Sequence, residues 1–307
     1  MRIVVALGGN ALPRRGERPD AAVQQPNIDR VATALAPLAR EHELVLTHGE
    51  GTRTGLPAVE GATDPALGDP CPLHLLGART QGMIGSLLAT GLHDALPGRR
   101  VAALVTHTLV RADDPAFSRP TTFVGRSYSR DVAHALARER GWHIARDTAG
   151  WRRVVPSPSP ERVLETGTVH ELLNGGTLVV CAGGGGVPVV EDRDTGALTG
   201  VEAVVDKDLT AASLAEDLKA DFLLILTDVP CVYDDFGTPA QQPVLDATPA
   251  ELRRKGFPDG SMGPKTEAAA RFVERTAGLA AIGALDAAYE IVHGRSGTLV
   301  RPELVTG

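Results

Sequence analysis

The sequence predicts an α/β protein built on a mainly parallel sheet, and three observations support that prediction. Short apolar runs rich in β-branched residues alternate with segments of helical periodicity along most of the 307 residues. Such continuous runs are typical of strands buried on both faces of a parallel sheet. Several runs end in glycine, at the strand ends where ligands approach an open α/β sheet. With 43% hydrophobic residues, the chain can form either two domains or one large domain in two lobes.

The first half of the chain opens with a β-α-β unit. Residues 2–7 form the first predicted strand, 28–42 a helix and 43–47 a second strand. Apolar spacing then predicts a long helix over 73–96 and a further strand over 101–109. Strand and helix therefore alternate, as an α/β fold requires.

Residues 113–160 interrupt this alternation. The segment contains both tryptophans, Trp142 and Trp151, an adjacent pair of arginines, and prolines at every second position from 156 to 160. These features predict an inserted subdomain, and we consider it a candidate lid. Alternation resumes with predicted strands at 177–182, 222–226 and 279–282, helices at 209–219 and 264–276, and a last helix and strand.

Charge and cysteine content exclude several classes of protein. Lys+Arg number 31 against 38 Asp+Glu, a formal net charge of −7, and the absence of a basic run argues against a nucleic-acid partner. The three separated cysteines fit neither a disulfide framework nor a metal-binding pair, so we expect a reducing compartment. No apolar run reaches the ~18 to 20 residues that span a bilayer, so we expect a soluble, cytoplasmic protein without a membrane partner.

Three predicted strands end in glycine turns, at Gly8-Gly9, at Gly49-x-Gly51 and at residues 183–186. Glycine lets backbone amides approach a phosphate closely, and helix N-termini beside such turns attract anions. The sequence therefore predicts a phosphate-binding edge of the sheet. The motifs GxxxxGK[ST], GxGxxG at a helix start, HRD and DFG are missing, which disfavours P-loop enzymes, Rossmann dehydrogenases and protein kinases.

Lysine is scarce in this chain, and two of the four lysines lie in turns marked by glycine or carboxylates. Lys207 stands between Asp206 and Asp208 just before a predicted helix, and Lys265 opens another helix after Gly-Ser-Met-Gly-Pro. Phosphoryl transfer uses cations over the transferred phosphate and a carboxylate that orients them. The Asp-Lys-Asp triplet alone fits a solvated helix N-terminus. Together with the glycine turns, it predicts a phosphoryl-transfer site.

Two histidines, His48 and His107, follow strand-like runs, and no Ser or Cys nucleophile stands beside either of them. We therefore expect both to make structural hydrogen bonds rather than to act as bases. Cys181 lies inside an apolar strand and is expected to be a buried small hydrophobic residue.

Seven motifs spread over nearly the whole chain resemble the carbamate kinases of the amino acid kinase superfamily. They are VALGGNAL (5–12), DPAF (114–117), GWRRVVPSP (150–158), GGGGVP (183–188), VEAVVDKD (201–208), LTDV (226–229) and GSMGPK (260–265). The resemblance implies a three-layer α/β/α sandwich around a mainly parallel central sheet, with a small protruding subdomain, and a homodimer. It implies one kinase-like domain over 1–307, with an acceptor-binding N-terminal lobe at 1–176 that includes the subdomain at about 113–160, and a nucleotide-binding C-terminal lobe at 177–307.

The same resemblance assigns roles to individual residues. Gly9 and Asn10 are implied to contact the transferred phosphoryl group, Lys207 and Lys265 to stabilise its charge, and Asp208 to hold the two lysines in register. Residues implied to bind the acceptor are Gly49, Glu50, Gly51, Arg53 and Arg126. Residues implied to bind the nucleotide are Gly8, Gly183, Gly184, Thr227, Asp228, Tyr233, Met262 and Gly263.

The activity implied is reversible phosphoryl transfer between ATP and carbamate, giving carbamoyl phosphate and ADP. The small-molecule partners would be the acceptor and the nucleotide. No metal-ligand spacing is present, so any Mg²⁺ would be held mainly by nucleotide oxygens and water rather than by protein side chains.

Two acceptor-side motifs depart from the family. The family's second glycine loop reads HGNGPQVG, but here residues 48–55 read HGEGTRTG, so that Glu50 replaces an amide; the family's subdomain motif resembles PTKPxGPFY, but here Thr122 replaces a lysine and Arg126 is added. A carboxylate ~4 Å from a carbamate anion would cost roughly 4 kcal/mol at an effective dielectric near 20.

Three hypotheses follow from these departures. In the first, Arg53 or Arg126 neutralises Glu50 and the chain still phosphorylates carbamate. In the second, the pocket serves another small acceptor, with Glu50 recognising it or acting as a general base. The third is a non-catalytic nucleotide-binding protein, which the lysines and Asp208 disfavour. We expect Glu50 to face the cavity.

Overall fold

The computed structural model describes residues 1–8, 21–49, 71–258 and 261–303, with the backbone alone for 21–24. Its strands are β1 (Arg2–Leu7), β2 (Glu43–His48), β3 (Val101–Ala103), β4 (His107–Val110), β5 (Thr122–Tyr128), β6 (His143–Arg146), β7 (Trp151–Val155), β8 (Pro160–Val163), β9 (Leu178–Val180), β10 (Val187–Glu191), β11 (Leu198–Gly200), β12 (Phe222–Thr227), β13 (Val232–Asp234), β14 (Gln242–Val244), β15 (Asp246–Ala247), β16 (Leu279–Ala284) and β17 (Thr298–Val300).

The α-helices are α1 (Ala21–Glu41), α2 (Leu73–Ala95), α3 (Arg130–Arg140), α4 (Thr166–Asn174), α5 (Lys207–Asp217), α6 (Pro249–Lys255), α7 (Met262–Thr276) and α8 (Ala288–Val292). Short 3₁₀ turns occur at Pro115–Ser118, Gly183–Gly185 and Leu285–Ala287. None of the helices in the described ranges is both long and apolar enough to cross a membrane.

The central sheet has eight strands in the order β15-β17-β16-β12-β1-β2-β9-β3. Every neighbouring pair is parallel except β16 and β17, which are antiparallel. The predicted mainly parallel sheet is therefore confirmed.

Strand β1 shows why the sheet is covered on both faces. Val4 and Ala6 belong to a core cluster that includes residues of α4, α5 and α7. Ile3, Val5 and Leu7 belong to a second cluster, with residues of α1, α2 and α8. Successive side chains of a strand point to opposite faces, so a continuous apolar strand has to be covered by helices on both sides. The predicted three-layer α/β/α sandwich is confirmed by this arrangement.

Within the described ranges three smaller sheets accompany the central one, and the smallest is the antiparallel pair β13-β14. A four-stranded sheet has the order β11-β10-β4-β8, and a three-stranded antiparallel sheet has the order β5-β7-β6. The three-stranded sheet, together with α3, falls within the segment 113–160 that the sequence marks as an insertion. Its strands are not visible in the sequence pattern, because most of their residues are half-buried or exposed and do not alternate between apolar and polar.

The predicted strand over 101–109 is wrong in one respect, because it forms two strands in two sheets. β3 joins the edge of the central sheet, whereas β4 pairs with β10 and β8. Between them, Thr106 exchanges hydrogen bonds with a side chain: Gln81 Nε2 donates to Thr106 O at 3.1 Å, and Thr106 N donates to Gln81 Oε1 at 3.2 Å. A side-chain amide thus takes the place of a neighbouring strand, and the chain changes sheets at this residue.

Candidate active site

The carboxyl ends of the central strands meet at one edge of the sheet. Leu7 at the end of β1 is in register with His48 of β2 and Leu226 of β12. The turns that follow begin with Gly8, whose amide donates to Leu226 O at 2.8 Å, and Gly49, whose amide donates to Leu7 O at 3.2 Å. Two of the glycine turns singled out in the sequence therefore start side by side.

Lys207, Lys265 and Asp208 form a buried charge cluster. Lys207 Nζ lies 2.5 Å from Asp208 Oδ1, and Lys265 Nζ lies 2.7 Å from Asp208 Oδ2. The lysine side chains are 11% and 14% exposed, and the aspartate side chain is 4% exposed. Each carboxylate oxygen is thus paired with a different ammonium, and the three groups together carry one excess positive charge. Such a buried excess fits an anionic ligand.

Local structure explains why these side chains point to one place. The carboxylate of Asp206 accepts from Asp208 N at 2.9 Å and from Leu209 N at 3.0 Å, and so caps α5 at its N-terminus. A capping aspartate stabilises a helix by about 1 kcal/mol. It fixes Lys207 and Asp208 in the first turn of α5, and Lys265 lies in the first turn of α7.

The helices α5 and α7 pack in the same core and both contribute buried alanines to it. Ala211, Ala215, Ala268 and Ala269 are buried in the same core cluster. Small side chains on both helices shorten the distance between the two axes. The packing therefore brings the first turns of the two helices, and the two lysines, to the same carboxylate.

Burial and mutual charge set the protonation of the cluster. Burial alone would raise the pKa of Asp208, but the charges and hydrogen bonds of Lys207 and Lys265 outweigh it and hold that pKa below its ordinary value. Burial lowers the pKa of Lys207, and the charge of Asp208 partly offsets this effect. Burial, followed by the neighbouring charge of Asp208, raises the pKa of Asp206.

The glycine turn at residues 182–186 borders this cluster. Ala182, Gly184, Gly185 and Gly186 all have positive φ, between 51° and 88°. A Cβ at Gly185 would lie 2.2 Å from the carbonyl oxygen of Val205, so glycine is required there by both conformation and space. The turn therefore packs closely against Val205, which lies two residues before Lys207 in the chain.

His48 packs against the same turn. Its side chain is buried, and a Cβ at Gly183 would lie 2.2 Å from His48 Nε2. Nδ1 is 3.0 Å from the carbonyl oxygen of Gly49, so the ring donates from Nδ1. Burial lowers the pKa of His48 to about 4. The hydrogen bond to Gly49 opposes this shift, and the charge of Lys207 adds to it. The ring is therefore neutral at pH 7.

The expected hydrogen bonds of the two histidines and the expected burial of Cys181 are present, whereas the expectation that neither histidine acts as a base stays a prediction. His48 makes the structural hydrogen bond to Gly49 just described. His107 Nδ1 lies 2.7 Å from Glu165 Oε1. Cys181 is 1% exposed, and burial raises the pKa of its thiol to about 12.

The residues implied to bind nucleotide lie at four places in the structure. Thr227 ends β12, next to Gly8, and its hydroxyl lies 3.3 Å from Asp228 Oδ1. Tyr233 lies in β13 with its ring 5.9 Å from that of Phe236. Met262 and Gly263 begin α7, in the same first turn as Lys265. Gly183 and Gly184 belong to the turn described above.

On the acceptor side, Gly49 lies at the sheet edge and Arg126 lies in β5, with its guanidinium 4.9 Å from the centre of the Tyr128 ring. The remaining residues implied to contact the acceptor or the transferred group fall outside the described residues. These are Gly9, Asn10, Glu50, Gly51 and Arg53. The prediction that Glu50 faces the cavity therefore also concerns a residue outside the described ranges.

Sequence analysis missed three polar residues beside the glycine turn. Gln81, Thr106 and Thr108 are almost completely buried and hydrogen-bonded to the turn or to each other. The only signal is the polar Thr-His-Thr at 106–108 inside an apparently continuous strand. Within the described ranges, no group of three His, Cys, Asp or Glu residues is arranged to hold a metal ion.

Comparison with known proteins gives a consistent result. Residues 1–282 match the model of the amino acid kinase family. A carbamate kinase of Rhizobium meliloti is 45% identical over 98% of this chain and 93% of its own length. One from Haemophilus influenzae is 44% identical over 98% of this chain and 96% of its own.

Solved structures agree with the sequence relatives. A crystal structure from Aeropyrum pernix superposes with a TM-score of 0.93 at 40% identity, covering 99% of this chain and 100% of its own. The carbamate kinase of Giardia lamblia bound to AMP-PNP superposes with a TM-score of 0.89 at 33% identity, covering 98% of each chain.

Proposed function

Because the chain belongs to the amino acid kinase family, we propose that it is an ATP-dependent carbamate kinase, which transfers a phosphoryl group reversibly between ATP and carbamate. The relatives named carbamate kinase are about 45% identical over nearly the whole chain. The observation that carries the proposal is the pair of buried lysines on one carboxylate at the glycine-lined edge of the sheet.

The charge cluster explains how the chain would favour transfer. Negative charge spreads over the equatorial oxygens of the transferred group as it passes between donor and acceptor. Asp208 holds Lys207 and Lys265 in place through its two oxygens, so little reorganisation is needed when that charge develops. Because the side chains are largely withdrawn from water, their attraction for the anion is stronger than at an exposed surface.

The remaining residues are assigned by the same proposal. Gly9 and Asn10 contact the transferred group. Gly49, Glu50, Gly51, Arg53 and Arg126 line the acceptor side. The nucleotide lies against Gly8, Gly183, Gly184, Thr227, Asp228, Tyr233, Met262 and Gly263. Mg²⁺, when bound to the nucleotide, would neutralise part of the phosphate charge, and Lys207 and Lys265 would attract part of the charge that remains.

Lobe organisation, assembly and location are further parts of the proposal. One kinase-like domain spans 1–307, with an acceptor lobe at 1–176 carrying the subdomain at 113–160, and a nucleotide lobe at 177–307. We propose a cytoplasmic homodimer. We assign its interface to the exposed face of α2, where the apolar side chains of Leu75 and Met83 are 48% and 43% exposed.

The two alternative functions are not favoured. A kinase for another acceptor would rest on Glu50, Thr122 and Arg126, but the curated relatives that match over nearly the whole chain are carbamate kinases. A non-catalytic nucleotide-binding protein would have no use for two buried lysines held on one aspartate.

The direct test measures ATP formation from ADP and carbamoyl phosphate by the purified chain, with a no-enzyme blank for spontaneous transfer. The reverse reaction is followed as ADP formation with carbamate, and with acetate and guanidine in its place. Rapid turnover with carbamate, and much slower turnover with the other acceptors, is expected. Transfer to another acceptor in preference to carbamate would support the altered pocket, and nucleotide binding without any transfer would support the sensor.

A further inference from the structure

The glycine turn at residues 182–186 is held by a buried polar network that reaches it from α2 and from β4. The turn has four residues at positive φ, and residue 182 among them is an alanine, for which this conformation is disfavoured. A backbone of this kind persists only when its surroundings over-determine it. The network supplies that constraint.

The first part of the network fixes the start of the turn. Ala182 N donates to Thr106 Oγ1 at 2.9 Å. The side chain of Gln81, in α2, hydrogen-bonds both the backbone amide and the carbonyl oxygen of Thr106. Gln81 is 3% exposed and Thr106 is fully buried, so water does not compete for these bonds. The strained alanine is therefore tied to α2 through a single threonine.

The second part of the network fixes the end of the turn and joins it to the lysine cluster. Thr108 Oγ1 donates to Gly185 O at 2.7 Å. The hydroxyl of Thr210, in the first turn of α5, lies 3.2 Å from the same oxygen and 3.0 Å from Asp206 O. One carbonyl thus connects β4 to the helix turn that carries Lys207 and Asp208.

We propose that Gln81, Thr106 and Thr108 are positioning residues for phosphoryl transfer: they hold the 182–186 turn, and through Gly185 they set the first turn of α5 and its lysine. This inference rests on the proposed function, although the contacts themselves do not. None of the three touches the lysine cluster in the described structure, so each acts through the turn.

Losing the Thr106 hydroxyl would leave a buried donor of the turn without its partner. Thr106→Val keeps the shape of the side chain but leaves the buried amide of Ala182 without an acceptor, and a buried unsatisfied group is costly. The turn then relaxes toward a conformation that exposes the amide. Because Gly185 is seated against Val205, just before the lysine cluster, the position of Lys207 shifts with it, and small displacements at a reacting centre reduce rate strongly.

The test uses threonine variants that separate shape from hydrogen bonding. Thr106→Val and Thr108→Val remove the hydroxyl, and Thr106→Ser and Thr108→Ser restore it. Thr276→Val is the matched control, because its hydroxyl accepts from Gly278 N at 3.0 Å and donates to Phe272 O at 2.7 Å at the far end of α7 from Lys265. Steady-state rates, melting temperature and hydrogen exchange of the 183–186 amides are measured for all five variants.

We expect kcat to fall about tenfold in each valine variant, and the KM for nucleotide to rise as well, because Gly183 and Gly184 of the displaced turn are assigned to the nucleotide. The serine variants should recover most of the rate, and exchange at 183–186 should rise only in the valine variants. Thr276→Val should lose melting temperature without losing kcat. Unchanged kcat in both valine variants would overturn the proposal. It would also be overturned if Thr276→Val lowered the melting temperature as much as they do and lost as much kcat.

Failure of this inference is distinguishable from failure of the proposed function. If wild-type protein transfers no phosphoryl group to carbamate, the proposed function fails. Amide hydrogen exchange at 183–186 in the valine variants then still shows whether Thr106 and Thr108 hold the turn. Amide hydrogen exchange at 207–210 shows whether a change in the turn reaches Lys207. Faster exchange at 183–186 with unchanged exchange at 207–210 would overturn the positioning role by itself.

Discussion

Lys265 Nζ lies 2.7 Å from Asp208 Oδ2, although 57 residues separate the two in the chain. The contact joins the first turns of α7 and α5, and Lys207 occupies the other oxygen of the same carboxylate. An aspartate with ammonium groups on both oxygens holds them close together despite their mutual repulsion. Asp208 therefore holds the two cations together at one place, which is the arrangement that the proposed kinase activity needs.

Removing either ammonium should abolish most of the activity. Lys207→Met and Lys265→Met each keep the aliphatic stem and delete one charge from the cluster. Loss of one preorganised charge-stabilising group typically costs about 10²- to 10³-fold in kcat, and we expect a loss of that size in ATP formation from carbamoyl phosphate. Lys219→Met is the control, because Lys219 is exposed at the start of β12, at the opposite edge of the sheet. Near-normal rates in either cluster variant would contradict the assignment.

Replacing Asp208 should weaken both stability and activity. Asp208→Asn leaves two buried ammonium groups without their counter-ion, and breaking a buried pair in this way costs about 3 kcal/mol. Chemical denaturation should show a loss of that order. The surface pair of Arg30 and Asp286 gives the control, since Asp286→Asn should cost less than about 1 kcal/mol. We also expect tripolyphosphate to raise the melting temperature of Asp208→Asn more than that of wild type; an equal or smaller shift would count against a lysine-bound anion.

The buried neutral His48 predicts a loss of stability in acid. Its pKa is lowered to about 4 in the folded protein, against an unfolded value near 6.5, so the unfolded state binds more protons between these values. The stabilising effect is complete above pH 6.5 and declines as the pH falls toward 4, by about 3 kcal/mol in total.

His48→Asn should flatten this part of the stability profile, because asparagine can still donate to Gly49 O and does not titrate. Denaturation midpoints at several pH values between 7.5 and 4.5 would measure the effect. His93→Gln is the control, because the His93 side chain is 74% exposed. If the stability of His48→Asn fell with pH as steeply as that of wild type, a group other than His48 would cause the loss of stability in acid.

The glycine turn should not tolerate a side chain at Gly185. Gly185→Ala combines a positive φ of 88° with a Cβ 2.2 Å from Val205 O. Gly98→Ala has a similar φ of 83° but nothing within 4 Å, so it isolates the conformational penalty of about 1 kcal/mol. We expect Gly98→Ala to be slightly destabilised and fully active, and Gly185→Ala to lose both stability and activity. If Gly185→Ala and Gly98→Ala had equal effects on activity, the close contact between Gly185 and Val205 would be unimportant.

The exposed face of α2 should control the oligomeric state. The double variant Leu75→Glu, Met83→Glu introduces two charges that would be desolvated in a dimer, and we expect it to sediment as a monomer where wild type sediments as a dimer. Leu198→Glu, on β11 and 51% exposed in wild type, should leave the dimer intact. A monomeric wild type, or a double variant that still dimerises, would refute this interface.

Much of the fold follows from pattern. Strands such as β1 and β12 are continuous apolar runs, and their burial on both faces dictates covering helices. The predicted helix over 209–219 starts two residues earlier, at Lys207, because Asp206 caps it; helix propensity alone does not locate a cap. Helix α1 begins at Ala21 and contains Pro26, whereas periodicity placed its start at residue 28.

The site was partly visible in the sequence. Lys207 and Lys265 stood out because lysine is scarce and both open helices. The contribution of Gln81, Thr106 and Thr108 was not visible, because a side-chain amide that replaces a strand partner leaves no periodic signal. Predictions about Glu50 concern a residue beyond the described ranges and remain predictions.

The most direct test of the central claim is an NMR measurement on the lysine side chains. With only four lysines in the chain, protein labelled with ¹³C at the lysine Cε gives few resonances, assigned by Lys→Arg variants of each position. AMP-PNP should shift the signals of both Lys207 and Lys265, by more than ADP does, and should leave Lys219 unchanged. If only one of the two lysines responded, or if ADP and AMP-PNP gave the same shifts, the claim that both ammonium groups meet the transferred phosphoryl group would be contradicted.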